Sequence, residues 1–191
     1  MTRGQYDRTL SQAERWARQR ADVLDAVALC APDRRTASVT AACRRARVGR
    51  NTFYAHFRDF AQARRVAEER GENELGLAVR RALADRNTPR ALLTGLCSAW
   101  IQTLASDPRA RLLLAEPEDE TARTRFAVVI EPMLAEVVER ARRDGALSKS
   151  ADGFRLTAAT GALEEIARRA APDTVESATD AAVDALLRIF R

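Results

Sequence analysis

The stretch SVTAACRRARVGRNTFYAHF, residues 38–57, decides the fold. It holds three of the chain's ten Phe, Tyr and Trp side chains, four arginines and the single histidine. A helix that is only core has no use for that polar set. A helix that only faces water has no use for two phenylalanines four residues apart. Ser38 suits the N-cap of a short helix with Val39, Ala42, Cys43 and Ala46 on its inner face. The chain turns near Arg47–Gly49, and another short helix runs from about Arg50 to His56. Phe53 and Phe57, with Val39 and Val48, are expected as its core support.

Outward from this stretch every substantial segment reads as helix, and no convincing alternating strand is found. Trp16, Val23, Leu24, Val27, Ala28 and Ala31 recur at three- and four-residue steps and mark a first amphipathic helix, stopped by Pro32 and Asp33. Asp59 is placed to cap a long helix reaching about Asp85, weakened at Gly71 and Gly76 by roughly 1 kcal/mol each. Pro89 starts a helix with Leu92, Leu93, Leu96, Trp100 and Leu104, and Pro108 opens a short one. Pro117, followed by Glu118, Asp119 and Glu120, reads as the start of a helix carrying Phe126, Val129, Ile130, Met133, Leu134 and Val137 and ending at Gly145. Two last helices, about 152–171 and 174–190, are split by Pro172. The expected class is all-α, with about nine helices. The expected division is a flexible arm over 1–13 that includes Arg3 and Arg8, a three-helix unit over 14–58, and a larger helical unit over 59–191.

Two short helices joined by a tight turn fit a helix-turn-helix, whose second helix enters the major groove with its N-terminal residues at base edges. Arg50, Asn51 and Thr52 stand there. Arginine pairs guanine bidentately, asparagine pairs adenine, and a threonine methyl touches thymine. Tyr54 and His56 are expected to reach phosphates, and Arg44, Arg45, Arg47 and Arg58 to supply charge. Ser38, Thr40 and Gly49 complete the set of expected DNA contacts. Charge is divided in the same sense. Residues 1–65 hold 14 arginines and six acids, against 18 cations and 21 acids in residues 66–191, so a polyanion is expected to meet the front of the chain.

The same residues resemble the DNA-binding segment of the TetR family of bacterial transcription regulators. Val39, Ala46, Val48, Arg50, Thr52, Phe53, Tyr54, His56 and Phe57 match, and the T-F-Y-x-H-F core is specific. The close match spans about twenty residues, and the helix order and length extend a weaker one over the chain. The departures are Arg47 at the usual turn glycine, Gly49 at a common serine cap, and Phe60 and Ala61 where the family has lysine and glutamate. The resemblance implies a ligand-released repressor that binds a palindromic operator as a homodimer.

Leu75, Val79, Leu96, Trp100, Leu104, Phe126, Ile130 and Met133 are each read first as core. As a set they line the region where TetR-like proteins hold an effector, here an unknown small molecule. The last two helices carry too much apolar surface for one contact each. Phe154, Ala158, Gly161, Ala162 and Glu165, with Ala182, Val183 and Leu186, are the expected dimer face in a four-helix bundle. Leu156, Ala159, Leu163 and Ile166 form a second stripe.

Other classes are weighed on the same residues. Cys30, Cys43 and Cys97 form no CxxC pair, and one histidine does not support a His-based metal site, so no metal or cofactor is expected. Glu116–Glu120 reads as a helix-dipole feature rather than a cation site. No apolar run of spanning length and no secretory start are found, so no membrane partner and a cytoplasmic setting are expected. With no convincing nucleophile–base spacing, an enzyme is not expected. The alternative kept open by the arginine excess is a nucleic-acid-binding or architectural protein without sequence preference.

Overall fold

Serine and glutamate open the first helix. The Ser11 hydroxyl accepts the Glu14 N–H at 3.2 Å, and the Glu14 carboxylate accepts the Ser11 N–H at 2.7 Å. This reciprocal pair satisfies two donors that a helix start leaves orphaned. The structure, a computed structural model, describes residues 11–33, 35–84, 88–115 and 124–191. Arg3 and Arg8 of the expected arm, and Pro117 with the acids of 116–120, lie outside the described residues. Among the described residues there are nine α-helices, one 3-10 turn and no strand. Contacts divide the chain into two compact units, Met1–Ala67 and Glu68–Arg191.

In the first unit α1 spans Gln12–Cys30, α2 Val39–Ala46 and α3 Arg50–His56. Helix α4 spans Phe60–Leu83 and contributes residues to both units. Helices α2 and α4 each have a local reason to start. The Ser38 hydroxyl accepts the Ala41 N–H at 3.2 Å. The Asp59 carboxylate accepts the Gln62 N–H at 2.7 Å, while Gln62 Oε1 accepts the Arg58 N–H at 2.6 Å. Asp33 organises the link between α1 and α2 by accepting from the Thr36 hydroxyl and the Arg35 N–H. These bonds, the Thr36 bond first, hold its carboxyl below the usual range.

The core of this unit is Val23, Leu24, Val27, Ala28, Ala42, Cys43, Phe53 and Phe57. Val39, Ala46 and Val48, expected as core, are only half-buried at the edges of their short helices. Trp16 departs further, at 49% exposed. It stands near the start of α1, short of the buried stripe that begins at Val23, and its ring packs on His56 instead.

In the second unit α5 spans Pro89–Ser106, α6 Pro108–Arg111, α7 Arg125–Arg143, α8 Gly153–Arg169 and α9 Val175–Phe190; the 3-10 turn Leu112–Leu114 follows α6. Thr88, Asp107, Thr124 and Asp152 each accept a backbone N–H at a helix start. The helix carrying Phe126 thus begins at Arg125 under a Thr124 cap, later than a start at Pro117. Helix ends are satisfied as deliberately. The Arg111 guanidinium donates to the carbonyls of Arg168, in the last turn of α8, and Ala170, its C-cap. The backbone N–H groups of Ser148 and Lys149 donate to the Phe190 carbonyl.

Gly71 has a packing role that its helix position hides. A Cβ placed there would lie 2.4 Å from the Arg109 carbonyl oxygen and 2.8 Å from the Ala110 nitrogen. The backbones of α4 and α6 meet at this point because one side chain is missing.

The two stripes read on α8 differ in burial, although Leu156 and Ile166 of the second are only half-buried. Ala159 and Leu163 are fully buried, whereas Ala158, Gly161 and Glu165 are exposed, Ala162 is half-buried and Phe154 is 85% exposed. The reading of α9 is corrected. Ala182, Val183 and Leu186 belong to the subunit's own core, at 0–3% exposed, so a partner cannot reach them.

Candidate nucleic-acid interface

A strained turn sets the two short helices. Arg47 takes φ 56°, ψ 38°, and among the described residues it is the only non-glycine with positive φ. Its N–H donates to the Arg44 carbonyl, and the Val48 N–H donates to the Cys43 carbonyl at 3.0 Å, closing the end of α2. The left-handed conformation costs a β-carbon-bearing residue about 1–2 kcal/mol. Arg47→Gly is therefore expected to raise stability by about 1 kcal/mol, after the greater entropy loss of glycine is discounted. Urea denaturation checks this, and a lower midpoint would show that the turn carries no strain.

Past the turn, Gly49 is extended and gives α3 no side-chain cap. Phe53 at 0% and Phe57 at 2% exposed seat the helix on the unit's core, with their rings 5.8 Å apart. The Arg20 guanidinium covers Phe57 at 4.9 Å from the ring centroid. This seating turns the other face outward. Ser38, Thr40, Arg44, Arg45, Arg47, Gly49, Arg50, Asn51 and Tyr54 are exposed, and Thr52 is half-buried. The Tyr54 hydroxyl hydrogen-bonds the Arg50 guanidinium one turn earlier and holds it above its ordinary arginine value. Arg50 and Tyr54 thus form a joined pair on the outward face. Arg58 is exposed, but its Nε donates to Asp59 at 2.9 Å, so part of its charge is answered within the chain.

His56 differs from its expected phosphate contact. Its Nε2 faces Gln19 Oε1 at 3.2 Å, and its ring lies 4.0 Å from that of Trp16. With Oε1 opposite, Nε2 carries the hydrogen, leaving Nδ1 buried with no partner among the described residues. The ring therefore ties α3 to α1, and neither nitrogen is free to donate to a phosphate. Gln19, Trp16 and Arg20 are the residues that sequence reasoning missed here. The tie crosses 37 positions, and no local pattern marks it.

Burial, and then the charge of Arg20, push the His56 pKa below its ordinary value near 6.5. The fold keeps the neutral ring. Its contribution is whole above about pH 6.5 and is lost as pH falls through the lower folded value. Thermal unfolding between pH 8 and pH 5 is expected to show a steeper acid loss for the native chain than for His56→Gln. Parallel curves would contradict this account.

In the second unit the eight expected pocket residues belong to its general apolar core. Leu75, Val79, Leu96, Trp100, Leu104, Phe126 and Ile130 are buried in one apolar cluster, and Met133 packs against it half-buried. The rings of Trp100 and Phe126 meet edge-on at 6.1 Å. Cys97 lies in the same cluster, where burial pushes its thiol up to about 12 and leaves it unreactive. Among the described residues no helix is long and apolar enough to cross a membrane.

No family model and no curated protein matches the chain. Solved structures do match it. A TetR-like transcriptional regulator from Rhodococcus sp. RHA1 aligns with a TM-score of 0.70 at 17% identity, covering 89% of this chain and 94% of its own. AibR, solved in complex with isovaleryl coenzyme A and operator DNA, aligns with a TM-score of 0.69 at 18% identity over 88% of this chain and 98% of its own. The fatty acid degradation regulator FadR from Bacillus halodurans aligns with a TM-score of 0.66 at 14% identity over 86% and 94%. The chain shares the all-helical fold of these TetR-like regulators.

Proposed function

We propose that the chain is a TetR-type transcriptional regulator: a homodimer that binds a palindromic operator through α3 and is released by a small-molecule effector. The observation that carries this reading is the seating of α3. Phe53 and Phe57 are buried, while Arg50, Asn51 and Tyr54 face out beside Arg44, Arg45 and Arg47. That is the division of labour a reading helix needs, with anchors on one side and base- and phosphate-seeking groups on the other. The regulator fold supports it, as does the operator complex of AibR.

In this reading Asn51 and Arg50 read bases, Tyr54 and the arginines of α2 and its turn meet phosphates, and His56 positions α3. The exposed stripe of Phe154, Ala158 and Gly161 on α8 supports a two-fold contact, in which small residues let a partner backbone approach. Two reading helices then stand about 34–36 Å apart, one turn of the duplex. An effector in the apolar cluster lowers DNA affinity only as far as it binds the released state better. No catalytic step and no membrane attachment enter this account, and the cytoplasm is its setting.

Footprinting on DNA flanking the chain's own gene tests it. Protection of a palindrome by a dimer is expected, and a folded dimer that protects none would overturn the reading. Two substitutions divide reading from holding. Asn51→Ala is expected to cost about 1–3 kcal/mol on the operator and to relax the base preference at one position. Arg44→Ala is expected to weaken every duplex alike. If both changes act equally on operator and random DNA, the chain is instead a binder without sequence preference, the reading the arginine excess favours.

A further inference from the structure

Two polar atoms in the core of the second unit have no partner among the described residues. They are the Nε1–H of Trp100 on α5 and the hydroxyl of Thr160 on α8. The residues are 0% and 2% exposed, so water does not reach them. Buried polar groups are nearly always paired, and one left without a partner calls for an explanation. Thr179 shows how the chain disposes of such a group. Its hydroxyl donates to the Val175 carbonyl one turn back, at 2.7 Å. Thr160 makes no such bond.

The helices that carry the two residues both meet the start of α7. The Trp100 ring meets Phe126, near the start of α7, edge-on. Thr124, which caps α7, donates to Glu164 at 2.9 Å, and Glu164 lies one turn beyond Thr160 on α8. The beginning of α7 is thus held between the helix of Trp100 and the face of α8 that carries Thr160. Around it the cluster is aliphatic and aromatic, with the unbranched Met133 at its edge. The charge nearest this place, Glu164, is half-buried and already answered by Arg168, and among the described residues no charged side chain is fully buried in the cluster.

We infer that Trp100 Nε1 and Thr160 Oγ1 are the polar anchors of the effector site. The ligand they fit is an uncharged, largely apolar molecule bearing a hydrogen-bond acceptor such as a carbonyl oxygen. The inference rests on the regulator reading for the word effector, and on the two orphaned groups for the chemistry. Trp100 only donates, so the ligand must accept. Thr160 donates or accepts, so a second oxygen or a hydroxyl is also served. A carboxylate or an ammonium group would enter without a counter-charge and is disfavoured.

Acetophenone, ethylbenzene and benzoate are the probes, with one skeleton and three polarities. The chain has two tryptophans, so the indole ¹⁵N–¹H spectrum has one signal from the site and one from Trp16 as an internal control. Acetophenone is expected to bind saturably and to move the Trp100 Nε1–H signal downfield, leaving Trp16 in place. Benzoate is expected not to bind. Trp100→Phe and Thr160→Val are each expected to weaken acetophenone about tenfold while changing ethylbenzene by less than about twofold. Thr160→Val and Trp16→Phe supply the affinity and the assignment if Trp100→Phe does not fold. Three results overturn the inference: no saturable binding of acetophenone, binding with the Trp100 proton unmoved, or benzoate binding as tightly. Footprinting of the same preparation separates the two ideas. Protection of a palindrome without the indole shift sinks the anchors alone, and the shift without protection sinks the regulator reading alone.

Discussion

Phe53→Ala is expected to lower the unfolding free energy by about 3–5 kcal/mol and to abolish protection of the operator. Phe53 is fully buried and packs edge-on against Tyr54 at 5.6 Å and tilted against Phe57 at 5.8 Å. Truncation removes the transfer energy of the ring and leaves a hole that short helices on either side cannot close without moving. A small domain holds only about 5–15 kcal/mol in total, so the loss is a large share of it. Function suffers doubly, because α3 is seven residues long and too short to persist without tertiary support. Urea denaturation followed by circular dichroism measures the first effect, and footprinting at a temperature where the variant is folded measures the second. A loss under about 1 kcal/mol would mean that the ring is not the anchor described. Phe53→Leu, which keeps most of the volume, is expected to retain partial binding.

Gly71→Ala is expected to destabilise the chain by about 1–3 kcal/mol, against the sign that helix propensity gives. Propensity alone favours alanine at a helix interior by about 1 kcal/mol. The added carbon, however, would sit 2.4 Å from one backbone oxygen and 2.6 Å from its carbon, and backbone does not swing aside as a side-chain tip does. Either α4 moves away from α6, or α6 unwinds. Because the two effects have opposite signs, the direction of the shift in melting temperature decides between them. A higher midpoint for Gly71→Ala would show that the close approach does not exist. Gly76 is the control. A carbon there meets only the ends of Arg80 and Met133 at 3.4 Å, so alanine at that position is expected to be tolerated.

Gly71 also shows where sequence reading stops. The helix is legible around it and the glycine reads as a flaw, because its partner lies in another helix that no local pattern points to. What depends on near neighbours is legible. The Ser38 and Asp59 caps, the bounds of α3 and the turn at Arg47 follow from residue types a few positions apart. Three things are not. The turn of His56 toward Gln19 needs a partner on α1. The half-exposure of Trp16 depends on where the core begins, not on helical spacing. Ala182, Val183 and Leu186 fail for a deeper reason: an apolar stripe looks the same in sequence whether it meets the subunit's own core or a second copy. Only the fold assigns α8's outer stripe to the surface and α9's stripe to the interior.

The positions of the two tryptophans have a practical consequence. One stands in each compact unit, Trp16 half in water and Trp100 fully enclosed. Their emission therefore differs in colour, red-shifted for the wet ring and blue-shifted for the dry one. Each unit carries its own optical reporter, so the melting of one can be timed against the other in a single unlabelled sample.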